Sequence, residues 1–112
     1  MTGHRSYVTA HVLDASRGTP AAGVAVTLTD GAGTVLGRAV TDDDGRVQEL
    51  GPELLPAGDY RITFGTGEWF AARAQETFYP RVLVEFRTEE TQAHYHVPLL
   101  LSPFAYSTYR GS

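Results

Sequence analysis

Two histidines at spacing two, His94 and His96, stand just upstream of a tail reading Tyr109-Arg110-Gly111-Ser112. In an extended strand residues i and i+2 share a face, so the two imidazoles are expected to project together. Imidazole titrates near neutral pH and suits proton transfer. The tail sets a phenol, a guanidinium and a hydroxyl at the final positions of the sequence, where chains usually fray and tolerate change. That placement reads as functional. A third imidazole, His11, falls in a strand pattern opposite the apolar Val8, Ala10 and Val12, whereas His4 lies near the N-terminus. A hydrogen-bonded structural histidine is the ordinary account of His11. The sharper alternative is a metal site made of His11, His94 and His96, since a His-x-His pair on a strand has zinc-binding geometry.

Arg46 follows Asp42-Asp43-Asp44-Gly45. It is either a solvated turn residue paired with Asp43 or Asp44, or a fixed positive charge for an anionic substrate or a developing oxyanion. Spacing alone leaves both open. Other chemistries fare worse. Ser102, Ser107 and Ser112 lack the Gly-x-Ser-x-Gly elbow of a serine hydrolase. Asp43 and Asp44 are neighbours in a turn and do not face each other as glycosidase carboxylates do. No phosphate-binding glycine loop occurs. With no cysteine there is neither disulfide nor thiolate. All nine basic residues are Arg, which excludes a lysine Schiff base or lysine general base. Arginine stays protonated, so it can clamp an anion but cannot accept a proton.

The elements that position these groups follow from punctuation and alternation. At 112 residues, 42% hydrophobic and 20% charged, the sequence fits one soluble globular domain over residues 1–112. A net charge of −4 argues against a nucleic-acid partner. No apolar run approaches the roughly 20 residues of a membrane-spanning helix, and Met1 to Ser6 lacks the apolar core of a secretory signal. The expectation is a cytoplasmic protein with no membrane association.

Short alternating runs between Gly, Pro and Asp clusters predict an all-β, two-sheet sandwich. Eight strands are expected: 7–14, 24–29, 34–40, 46–50, 59–64, 82–86, 92–101 and 104–110. One short helix is expected over 66–75, between the fifth and sixth strands, with Glu68 against its dipole and Trp69, Phe70 and Arg73 on one face. Residues 16–23 read as a loop and 41–45 as a tight turn, where Asp-Gly suits positive φ. Pro98 implies an edge position or a bulge. In the last strand Tyr106, Thr108 and Arg110 should face one way, and Ser107, Tyr109 and Gly111 the other.

Nearly the whole sequence resembles the 5-hydroxyisourate hydrolases, the transthyretin-like enzymes of urate breakdown. The resemblance rests on His11-Val12-Leu13-Asp14 with Gly18-Thr19-Pro20-Ala21, on Thr41-Asp42-Asp43-Asp44-Gly45-Arg46, and on Gly58-Asp59-Tyr60-Arg61. Phe78-Tyr79-Pro80 and the segment from His94 to Ser112 complete it. The Tyr-Arg-Gly-Ser ending is the specific part, because the paralogous hormone carriers lack it. The resemblance implies a transthyretin-like sandwich assembled as a homotetramer, a dimer of dimers, with active sites in the channel between dimers. It implies catalytic roles for His11, Arg46, His96 and Ser112, and substrate contacts from His11, Arg46, Tyr109, Arg110 and Gly111, with His94 matched but of open role. The implied reaction opens the lactam amide of 5-hydroxyisourate, giving 2-oxo-4-hydroxy-4-carboxy-5-ureidoimidazoline, with neither metal nor organic cofactor. A transthyretin-like carrier of small aromatic ligands is the competing expectation.

Overall fold

The computed structural model describes residues 6–112, so the expectation for His4 lies outside the described residues. The first strand, β1, spans Val8–Asp14, and its alternation puts Val8, Ala10 and Val12 at 0% exposure in the core. A two-residue strand, β2 (Thr19–Pro20), pairs antiparallel with the end of β1. It lies inside the segment read as a loop, and it raises the strand count to nine. The strand was hidden because Gly18 precedes it and Pro20 is one of its two residues, leaving no room for alternation.

Four strands make the second sheet in the order β4-β3-β6-β7: β3 (Ala25–Asp30), β4 (Val35–Val40), β6 (Gly58–Phe64) and β7 (Val82–Thr88). All its pairings are antiparallel. Val26 and Leu28 from β3 and Tyr60, Ile62 and Phe64 from β6 point inward, as alternation predicts. Full burial of side chains such as Leu28, Ile62 and Phe64 stabilises the fold by roughly 2 kcal/mol each.

The first sheet runs β2-β1-β8-β9, with β5 (Arg46–Val47) also paired to β1. Strand β8 (Tyr95–Ser102) lies parallel to β1, and β9 (Ala105–Thr108) lies antiparallel to β8. Tyr95, Val97, Leu99 and Leu101 face the core, so the intervening residues face outward. The expected strand 46–50 is only two residues long. Beyond Val47 the chain leaves β1, and Ser6 ties it down by donating its N–H to the Gln48 carbonyl and accepting from Leu50 N.

Pro98 corrects a second expectation. It sits mid-strand between β1 and β9, with neither an edge nor a bulge at its register with His11. The sheet tolerates it because the ladder on the β9 side lapses opposite the proline. Pairing ends at Leu99–Thr108 and resumes only as a bridge between His96 and Gly111. The Thr108 hydroxyl donates to the Pro98 carbonyl at 2.7 Å, partly closing that gap.

The helix, α1 (Thr66–Ala71), lies between β6 and β7, the places foreseen for it, but is shorter than expected. Its end tightens into i→i−3 bonds from Arg73 N and Ala74 N, and Ala74 takes a left-handed φ of 55° that stops propagation. Arg73 still covers Trp69, its guanidinium carbon 3.8 Å from the ring centroid.

Candidate active site

Strand register assembles the site. On the outer face of the first sheet Thr9 pairs with His96 and His11 with Pro98 across the parallel β1–β8 ladder. Across the antiparallel β1–β5 pair His11 stands opposite Arg46. Residues 9, 11, 46, 94, 96 and 98 therefore share one face. The tail after β9 runs on beside β8 in the same antiparallel register and edges this face, and Gly111 N donates to the His96 carbonyl at 2.9 Å.

The result is a pocket of about 300 Å³, lined by Arg46, His94, His96, Tyr109, Gly111 and Ser112, with Thr9, Gln48 and Pro98 among the remaining walls. A cavity of that size is at the small end of ligand sites. The His11 ring stands at its rim, 6.4 Å centroid to centroid from His96. Arg110 is not brought in. Its guanidinium lies 5.1 Å from the Tyr95 ring centroid, beside a separate apolar cavity under the tail. Strand alternation foresaw that split between Arg110 and its neighbours Tyr109 and Gly111.

The turn 41–45 fixes two of these groups. The Asp42 carboxylate accepts from Asp44 N and Arg46 N, both at 2.9 Å. Gly45, at φ +76°, is needed there because a Cβ would run into the Val12 carbonyl oxygen. So held, the Asp44 carbonyl faces His11 and accepts from Nε2–H at 3.0 Å. A carbonyl can only accept. In the neutral ring the proton is therefore on Nε2, and the lone pair is on Nδ1. Among the described residues Arg46 makes no ion pair with Asp43 or Asp44; the pairs there are Arg61–Glu85 and Arg87–Asp59. The solvated-turn account of Arg46 loses its partner.

Gly111 is required by close approach. A Cβ on it would lie 2.6 Å from His96 Cδ2 and 3.1 Å from Pro98 Cγ, so the tail can seat on the imidazole only through glycine. Two residues of the site were not foreseen, Thr9 and Gln48. Thr9 Oγ1 sits 3.0 Å from His94 Nε2 and 2.8 Å from His96 Nδ1. A threonine in a strand carries no warning of this, although its register with the histidine pair would have shown it. His94 and His96 each turn one ring nitrogen to Thr9, and His11 turns Nε2 to Asp44. Among the described residues no cluster of three or more His, Cys, Asp or Glu is placed to hold a metal ion.

Residues 8–111 match the model of the HIUase/Transthyretin family. This chain belongs to that family. It is 50% identical to the 5-hydroxyisourate hydrolase of Salmonella typhimurium over 106 residues, covering 91% of this chain and 78% of that protein. The solved structure of Klebsiella pneumoniae 5-hydroxyisourate hydrolase superposes with a TM-score of 0.88 at 41% identity, covering 96% of this chain and all of that one. Transthyretin from Sparus aurata superposes with a TM-score of 0.87 at 34% identity, over 96% of this chain and 97% of that one. Both branches of the HIUase/Transthyretin family thus share the sandwich, and the site must distinguish them. No helix among the described residues is long and apolar enough to cross a membrane.

Proposed function

We propose that this chain is a 5-hydroxyisourate hydrolase, a single catalytic domain over residues 1–112 that acts in the cytoplasm on the urate-degradation route. The observation that carries this reading is the meeting of His96, Arg46 and the tail residues Tyr109, Gly111 and Ser112 in one pocket with His11 at its rim. Hydrolysis of a cyclic amide needs a base for water, a donor for the oxyanion and an acid for the leaving nitrogen. His96 supplies the base that takes the proton of the attacking water and the acid that returns it to the leaving nitrogen, and His11, with its lone pair on Nδ1, accepts a hydrogen bond from that water. Arg46 supplies a fixed charge for the oxyanion, and the Ser112 hydroxyl a further hydrogen bond. Tyr109 and Gly111 wall the substrate, while Arg110 acts on the other side by holding the tail against Tyr95. Product is 2-oxo-4-hydroxy-4-carboxy-5-ureidoimidazoline, and the scheme needs no metal.

The same reading includes a homotetramer, a dimer of dimers, whose channel closes over the pocket and excludes water. Edge strands β7 and β9 leave exposed Leu83 and Tyr106, with Phe104 and Tyr109 beside β9, which suits pairing with another copy. Light scattering should give a tetramer at micromolar concentration; a fully active monomer would count against the channel.

Absorbance decay of freshly made 5-hydroxyisourate tests the whole reading. Catalysed decay unaffected by a chelator is expected. Decay abolished by chelator and restored by zinc would replace this mechanism with a metal one. An inert protein that binds small aromatic ligands would make it a carrier.

A further inference from the structure

Thr9 is 4% exposed, so water does not satisfy its hydroxyl, and the two imidazole nitrogens beside it do. A hydroxyl has one hydrogen to give and lone pairs to receive. His94 Nε2 and His96 Nδ1 therefore cannot both be acceptors from it. Two N–H donors would in turn leave the buried hydroxyl hydrogen without an acceptor, so while both rings are neutral and both bonds are made, one ring presents N–H to Thr9 and the other presents a lone pair. We infer that Thr9 joins His94 and His96 into one proton-holding unit, in which His96 Nδ1–H donates to Thr9 Oγ1 and the Thr9 hydroxyl donates to His94 Nε2. This inference rests on the hydrolase reading for its catalytic meaning, and assigns His94 and Thr9 positioning roles in it.

The direction follows from what His96 must do. A lone pair at Nε2, the ring position turned away from Thr9, requires the proton on Nδ1. When Nε2 takes a proton from water, Nδ1–H passes to Thr9 Oγ1, and the hydroxyl's own hydrogen passes to His94 Nε2. One proton enters and one positive charge results, carried on His94. His96 ends neutral with Nε2–H, and as it gives that proton to the leaving nitrogen the relay runs in reverse, His94 Nε2–H returning its hydrogen to Thr9 and the Thr9 hydroxyl restoring His96 Nδ1–H. The threonine returns to its starting composition. The geometry is rigid enough to support this, because Thr9 and His96 are register partners in adjacent strands, and His94 directly precedes β8.

Two readouts on the full-length protein test the unit. Long-range ¹H–¹⁵N correlation of the substrate-free protein at pH about 8, above the ordinary histidine pKa of about 6.5, should find His96 protonated on Nδ1. Thr9→Val, nearly isosteric and β-branched as a strand prefers, should turn that into a tautomer mixture, and Thr9→Ser should restore it. In turnover, Thr9→Val should lower kcat about tenfold or more with KM within about twofold, on the scale of a disturbed proton-transfer group. Thr9→Ser should recover most of that loss. His94→Phe should match Thr9→Val, and the double variant should be no worse than either, as expected of groups that act together. Circular dichroism confirms folding of each variant. His96 protonated on Nε2 in the unsubstituted protein, an unchanged kcat in Thr9→Val, or additive losses in the double variant would each overturn the inference. An unsubstituted protein inert toward 5-hydroxyisourate would instead overturn the hydrolase reading, while the imidazole spectra would still decide whether Thr9 couples the rings.

Discussion

The two outer faces of the sandwich are built alike and used differently. On the second sheet Asp59 stands across from Arg87 and Arg61 across from Glu85, register partners that neutralise each other at 2.9 and 3.6 Å. On the first sheet His11 stands across from Arg46 with no such neutralisation among the described residues. Exposed cross-strand ion pairs contribute little to stability because water screens them. A guanidinium withheld from the local carboxylates keeps its charge for something else. The lesson is that the same cross-strand geometry cancels charge on the second sheet and leaves Arg46 without an ion pair, among the described residues, beside the pocket on the first.

The comparison breaks most severely if the tail is removed. Deleting residues 109–112 should lower kcat/KM by a thousandfold or more, a loss of about 4 kcal/mol at 1.36 kcal/mol per decade. The fold should survive, because β9 ends at Thr108 and Tyr109 is 59% exposed. Unchanged circular dichroism with unchanged turnover would reduce the tail to an edge segment. Next in size is Arg46→Lys, which replaces a planar two-pronged donor by a compact ammonium. The barrier should rise by roughly 2–4 kcal/mol if the charge meets an oxyanion, and near-normal kinetics would make Arg46 as idle as the arginines opposite.

Gly111→Ala sharpens the contrast on a finer scale. The added methyl must displace the His96 ring or the tail, since it would stand 2.6 Å from Cδ2. Turnover should fall about tenfold, ~1.4 kcal/mol in the barrier, with the melting temperature little changed; full activity would mean that the ring and tail need not touch. The smallest effect belongs to the other face. Arg87 donates to Asp59 and holds its carboxyl below the usual aspartate value. The associated stability is complete above the pKa of an unfolded aspartate and drains away as pH falls through the lower folded value. Asp59→Asn should therefore flatten only the acid limb of the stability profile and leave turnover untouched. Lost turnover would show that the second face takes part in the reaction.

Much of this was legible in residue types alone. His11, Arg46, His96 and the tail stand out because imidazole, guanidinium and a chemically dense terminus are unusual on strand faces. The buried sets Val8-Ala10-Val12 and Tyr60-Ile62-Phe64 were equally legible, since a period of two leaves no other reading. What escaped was set by partners distant in sequence. Strand β2 exists because β1 offers it an edge, not because Thr19–Pro20 prefers extension. Pro98 is tolerated inside the sheet because the facing ladder lapses, which nothing near residue 98 reveals. Thr9 gains its two imidazole contacts only through parallel pairing with a segment more than eighty residues away.

That parallel pairing also dictates when the site can come into being. Consecutive strands in the second sheet, β3 with β4 and β6 with β7, meet through short or moderate connections. The face that carries the pocket instead joins strand β1 to strand β8, across most of the sequence. A nascent polypeptide emerging from the ribosome could order the second sheet while its β1 still lacked the neighbour that completes the pocket. Closing so long a loop is the slow kind of contact to make. Until residues 95–102 have been synthesised and docked beside β1, the pocket next to Arg46 lacks its His96 wall.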